Sequence, residues 1–131
     1  MKKRVLVIDD DYPIRLLIQK VLEKDYAIHA FNNVAKAVDH MNAHGNPDVI
    51  VTDIKLPVID GKDFLRNLKT SAMYSDIPVV IISSWADGQT QLECEQAGAD
   101  AYINKPFNPE KLVKIIDQLV KKVDNQNFLM G

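Results

Sequence analysis

Only one cysteine, Cys94, occurs in the 131 residues. That excludes an internal disulfide and any zinc site made of several thiolates. Cys94 reads as a helix residue without a redox role. No apolar run approaches the roughly 20 residues of a membrane span. Met1-Lys2-Lys3-Arg4 has the basic character of a signal-peptide start. The apolar run behind it stops at Ile8 against three aspartates, too soon for a hydrophobic region. A cytoplasmic chain with no membrane insertion is therefore expected. Charge of one sign is also lacking: 16 basic and 18 acidic residues leave a net charge of −2. Direct binding to nucleic acid or to an anionic membrane has no global electrostatic support. The three histidines, His29, His40 and His44, show no metal-ligand spacing across the expected elements and are read as surface residues. There is no repeat and no low-complexity linker. The length fits one domain with one adequate core.

What is present is a series of short, β-branched runs that end on polar residues. The most telling is Val49-Ile50-Val51-Thr52-Asp53, followed at once by a loop containing Pro57. Such runs read as strands buried on both faces. Arg4–Ile8 is a second, ending on Asp9-Asp10-Asp11. Pro13 suits the first turn of the helix that follows, with Asp11 as its cap. Ile14, Leu17, Ile18, Val21 and Leu22 form its apolar stripe. Tyr26–Phe31 reads as a strand. Asn32 or Asn33 caps a second helix, with Val34, Ala37, Val38 and Met41 inward, that stops at Gly45 and Pro47. Asp60 caps a third helix with Phe64, Leu65 and Leu68 as core contacts. Ile77–Ile82 is the fourth strand, ending on Ser83-Ser84. A loop with Trp85 leads into a fourth helix carrying Leu92. Asp100–Asn104 is the fifth strand, ending on Lys105-Pro106. Asn108 caps a last helix with Pro109 at its first position. Its stripe runs from Leu112 through Ile115, Ile116, Leu119 and Val120 to Val123. Residues 124–131 are expected to be a frayed tail whose Phe128-Leu129-Met130 could dock on something.

Five strands alternating with five helices imply an α/β fold with a parallel sheet and right-handed crossovers. In that architecture the carboxyl ends of all strands lie along one edge, where open α/β sheets bind their ligands. Asp9, Asp10, Asp53, Ser83 and Lys105 should therefore converge. Crowded carboxylates either rise in pKa or recruit a cation. Their hard oxygen atoms suit Mg²⁺, which usually takes one or two carboxylates together with phosphate oxygens. A carboxylate nucleophile, a divalent ion, an ammonium and a hydroxyl together make a phosphoryl-transfer site.

The chain resembles the response-regulator receiver domains of two-component signalling. The resemblance runs from Arg4 to Val123 and rests on motifs in order. These are Asp9-Asp10 after the first strand, Asp53 with Pro57 and Asp60-Gly61 behind it, Ser83 after the fourth strand, and Lys105-Pro106 after the fifth. It implies a flavodoxin-like, doubly wound, five-stranded parallel sheet of order 2-1-3-4-5. It also implies a receiver domain over residues 1–123, with 124–131 as a tail. The implied function is that of a phosphoacceptor, not an enzyme acting on other substrates. Asp53 would take a phosphoryl group from a histidine kinase or histidine phosphotransfer protein. Asp10, Asp53 and the Lys55 backbone carbonyl would hold Mg²⁺, with Asp9 acting through water. Ser83 would move to the phosphoryl group, Tyr102 would swing inward behind it, and Lys105 would pair with the phosphate across a cis Lys105–Pro106 bond. The face of the fourth helix, fifth strand and fifth helix would then change its preference for a downstream protein. A monomer or weak dimer is expected.

Lys55 and Trp85 stand at positions where the family varies. An ammonium and an indole at the rim could shield the acyl phosphate and slow its hydrolysis. Three other functions compete with a receiver. A haloacid-dehalogenase-like phosphatase would use Asp9 and Asp11, but Pro13 and the missing cap domain oppose it. A flavin or nucleotide module would need a first loop of Ser, Thr and Gly rather than three aspartates. A degenerate receiver would only bind partners, yet all five site residues are present.

Overall fold

The computed structural model describes residues 2–84 and 88–130, with side chains through residue 125. The strands are β1 (Lys3–Ile8), β2 (Tyr26–Phe31), β3 (Val49–Asp53), β4 (Val79–Ser83) and β5 (Ala101–Asn104). The helices between and after them are α1 (Tyr12–Leu22), α2 (Val34–His44), α3 (Gly61–Thr70), α4 (Gly88–Gln96) and α5 (Pro109–Met130). All strand pairs are parallel, in the order β2-β1-β3-β4-β5. This is the flavodoxin-like arrangement expected.

The strands are apolar at nearly every position because both faces of the sheet are covered. Alternation still decides which helix each residue meets. Leu6, Ile8, Ile50, Val79 and Ile81 face one core with residues of α2, α3 and α4. Val5, Val7, Val49, Val51, Val80 and Ile82 face the other, with residues of α1 and α5. Burying each such side chain contributes roughly 1.5–3 kcal/mol before the entropy of ordering is charged against it. Helix starts follow the expected caps. Asn33 Oδ1 accepts from Lys36 N–H at 2.9 Å, Asp60 Oδ1 from Lys62 N–H at 2.7 Å, and Asn108 Oδ1 from Glu110 N–H at 2.9 Å. Asp11 occupies the cap position of α1, but its side chain makes no capping bond.

Several local expectations need correction. Leu17 is 38% exposed, on the flank of the α1 stripe, while Ile18 and Leu22 are buried. Leu92 is 52% exposed and Cys94 is the residue α4 buries. Helix positions two residues apart differ by roughly 200°, so only one of these two can face the sheet. β4 begins at Val79 rather than Ile77, because Pro78 has no N–H to give the ladder; its carbonyl still accepts from Ile50 N–H at 2.9 Å. α5 continues to Met130 where a frayed tail was expected, since residues 124–130 contain neither Gly nor Pro to stop it. The three histidines do not lie apart. The rings of His29 and His44 each stand 4.5 Å from that of His40. Among the described residues, no helix is long and apolar enough to cross a membrane.

Candidate functional site

Register places the site. Ile8 pairs with Thr52, Asp53 with Ile82, and Ser83 with Asn104. The ends of β1, β3, β4 and β5 therefore lie side by side, and the residues at or just past them meet on one edge. Asp9, immediately after β1, is 1% exposed, and Asp53, the last residue of β3, is 8% exposed. Asp10 is exposed. One carboxylate oxygen from each of these three can be chosen so that all lie within 4.8 Å of one another.

One ammonium holds two of the three. Lys105 Nζ donates to Asp9 Oδ2 at 2.9 Å and to Asp53 Oδ2 at 2.8 Å. The remaining oxygens are also engaged: Asp11 N–H donates to Asp9 Oδ1 at 2.9 Å and Lys55 N–H to Asp53 Oδ1 at 3.1 Å. Burial pushes the Asp9 carboxyl up, and the neighbouring Asp53 adds to this, against the pull of Lys105 and the Asp11 N–H. Burial pulls the Lys105 ammonium down, but its hydrogen bonds to Asp53 and Asp9 outweigh burial and leave it above its ordinary value.

Lys105 is fixed from the backbone as well. Its N–H donates to the Ser83 carbonyl at 2.7 Å, and the Lys105–Pro106 peptide is cis. Ser83 is fully buried at the end of β4, whereas Ser84 beside it lines the cleft. Tyr102 lies opposite Ile81 in the β4–β5 register, half-buried against the core on the α2–α4 side. Trp85 lies outside the described residues. The cleft over Asp53 has a volume of about 450 Å³ and is bounded by Asp10, Asp11, Lys55, Pro57 and Lys105. Asp10 and Asp53 line this cleft with Asp9 buried beside them, and their hard oxygen atoms fit a divalent cation that keeps part of its water.

Sequence reasoning missed two supporting residues, Arg15 and Thr52. Arg15 Nη1 donates to the Asp9 carbonyl at 2.8 Å, and its guanidinium lies 5.5 Å from the Tyr12 ring centroid. An arginine in the first turn after an acidic loop was the available signal. Thr52 Oγ1, fully buried, donates to the Asp53 carbonyl at 3.0 Å. Gly61 lets α3 begin directly against β3. A Cβ there would lie 2.5 Å from both Cα and O of Ile54.

The family model of the response regulator receiver domain matches residues 5–117. The phosphate regulon transcriptional regulatory protein PhoB of Escherichia coli (strain K12) is 34% identical over 124 residues, covering 94% of this chain and 54% of PhoB. The chain thus spans about half the length of the curated relatives it matches. Among solved structures, the Francisella response regulator 1452 receiver domain is 28% identical with a TM-score of 0.83, over 93% of this chain and 99% of that one. The BeF3-activated DrrB receiver domain is 27% identical with a TM-score of 0.80, over 92% and 99% respectively. With the fold, the strand-end acidic pocket and these matches in agreement, the chain belongs to the response regulator receiver domain family, the phosphoacceptors of two-component signalling.

Proposed function

We propose that Asp53 is the phosphoacceptor and that Mg²⁺ is the ion held beside it by Asp10 and Asp53. The observation that carries this reading is the position of Asp53. It ends a buried strand, faces an open cleft, and shares Lys105 with Asp9. A phosphohistidine on a histidine kinase or histidine phosphotransfer protein is the donor. Its N–P bond breaks as the bond from an Asp53 carboxylate oxygen to phosphorus forms, and the leaving imidazole takes up a proton. When bound, Mg²⁺ would supply positive charge for the phosphoryl oxygens, and Lys105 supplies a second, fixed positive charge. Asp9 would act through water, and the Lys55 carbonyl would join Asp10 and Asp53 in holding the ion.

Ser83 and Tyr102 carry the readout. The Ser83 hydroxyl donates to the new phosphoryl group, Tyr102 moves inward behind it, and the α4-β5-α5 face changes its affinity for a downstream protein. Lys55 and Trp85 tune phosphoryl lifetime at the rim. The functional unit is taken as residues 1–123, with the following residues prolonging α5.

Intact-protein mass after incubation with Mg²⁺ and a small acyl phosphate tests the acceptor. One added phosphoryl group is expected in the native protein, and none in Asp53→Asn or in the presence of a chelator. Phosphorylation of folded Asp53→Asn would move the acceptor elsewhere. Dephosphorylation rates separate the rim roles: Trp85→Ala should lose its phosphoryl group faster, and an unchanged rate would remove the indole from the account.

A further inference from the structure

We propose that His29, His40 and His44 form a second metal site, for a borderline transition ion such as Zn²⁺, on the outer edge of the sheet. β2 is an edge strand and supplies none of the three carboxylates of the acidic pocket. His29 lies on β2; His40 and His44 lie four residues apart on α2 and so share a helix face.

The spacing of the rings is that of co-ligands. An imidazole nitrogen sits roughly 2.0–2.1 Å from Zn²⁺, which puts the ring centre roughly 3.2 Å from the ion. Two imidazoles at 90–110° around one ion then have centroids roughly 4.5–5.2 Å apart. Both adjacent pairs here stand at 4.5 Å, with ring planes tilted by 35° and 36°. Ring stacking alone tolerates the same distance, so spacing is not the whole case. The deciding observation is His40 Nε2. It is buried and has no hydrogen-bond partner among the described residues. An unmade bond at a buried nitrogen costs about 1–3 kcal/mol, which coordination would recover.

Burial first, then the neighbouring His29, His44 and Arg4, press His40 toward neutrality. Arg4 does not occupy the imidazoles. Its guanidinium donates to the carbonyls of His44 at 3.0 Å and Asn46 at 2.5 Å. Nitrogen ligands without a carboxylate favour Zn²⁺, Ni²⁺ or Cu²⁺ over Mg²⁺. As the side chains stand, the ligand atoms of the three rings do not all come within 4.8 Å of one another. Closing the set therefore requires side-chain rotation within the trio, which metal binding would drive. The closed site would clamp α2 to the edge strand.

Calorimetric titration of the untagged protein with Zn²⁺, in the presence of saturating Mg²⁺, tests the site. One equivalent of Zn²⁺ should bind. His40→Ala should weaken binding more than about tenfold, and so should His44→Gln, which alters only an exposed ring. Asp53→Asn should leave binding unchanged. Zn²⁺ binding that survives both histidine substitutions, or that disappears in Asp53→Asn, would overturn the proposal, as would no binding by the native protein. His44→Gln guards against His40→Ala failing to fold.

Discussion

Val58 stands at φ +73° and is fully exposed, at the centre of a three-residue turn closed by Ile59 N–H on the Pro57 carbonyl at 2.8 Å. A β-branched residue gains nothing there to offset its crowded backbone. Val58→Gly should stabilise the fold by about 1 kcal/mol, read as a higher urea midpoint at unchanged slope. Gly61 is the opposite case. Gly61→Ala drives a methyl into the Ile54 backbone and should cost about 2–3 kcal/mol in the same measurement. Because the Gly61 N–H also donates to the Ile54 carbonyl at 2.8 Å, that variant should phosphorylate more slowly as well. The two positions were unequally legible. Asp60-Gly61 is visible in the sequence as part of a motif, but the reason for the glycine lies in an approach to β3 that only the packed helix reveals. Val58 carries no signal at all, since nothing in its residue type announces a positive φ. Asp9, Asp53 and Lys105 were legible because each stands where an apolar run stops.

Elements are tied together by buried polar contacts that periodicity does not predict. Tyr26, at the start of β2 and 7% exposed, donates its phenolic hydroxyl to Asp117 Oδ1 on α5. Burial first, then this hydrogen bond, hold the phenol protonated well above its usual range. A folded-state pKa above the unfolded value means that stability is fully present below about pH 10 and falls as pH rises beyond it. Urea unfolding from pH 7 to 11 should show that alkaline loss, and Tyr26→Phe should make it shallower. The same variant should lose about 1 kcal/mol at pH 7, where only the hydrogen bond is at stake. Strand and helix types were readable from hydrophobic periodicity because each long stripe meets one face of the sheet. α4 was the exception. It has so few apolar residues that sequence alone favoured Leu92, whereas the sheet accommodates the smaller Cys94 on the opposite side of the helix. The end of α5 was missed for a different reason: terminal segments tend to fray, but no residue in 124–130 breaks a helix.

At the scale of the whole molecule, four strand ends from separate parts of the chain become one site only when the sheet is complete. A cation bound there binds the folded state alone. Mg²⁺ at ten times its dissociation constant should therefore stabilise the protein by about 1.4 kcal/mol, a gain that Asp10→Asn should largely abolish in thermal unfolding. The strand order that creates this edge came from the family resemblance rather than from periodicity, which cannot rank parallel strands. The pair of hydrogen bonds from Lys105 to Asp9 and Asp53 has a consequence of its own. The protein carries an internal counterion that offsets the crowded carboxylates, so its folding should not depend on metal supply. A chelator should leave the far-ultraviolet circular dichroism unchanged. Lys105→Ala should make the protein metal-dependent, losing about 3 kcal/mol in chelator and regaining part of it with Mg²⁺. The lysine thus lets a signalling domain wait, fully formed, for its donor.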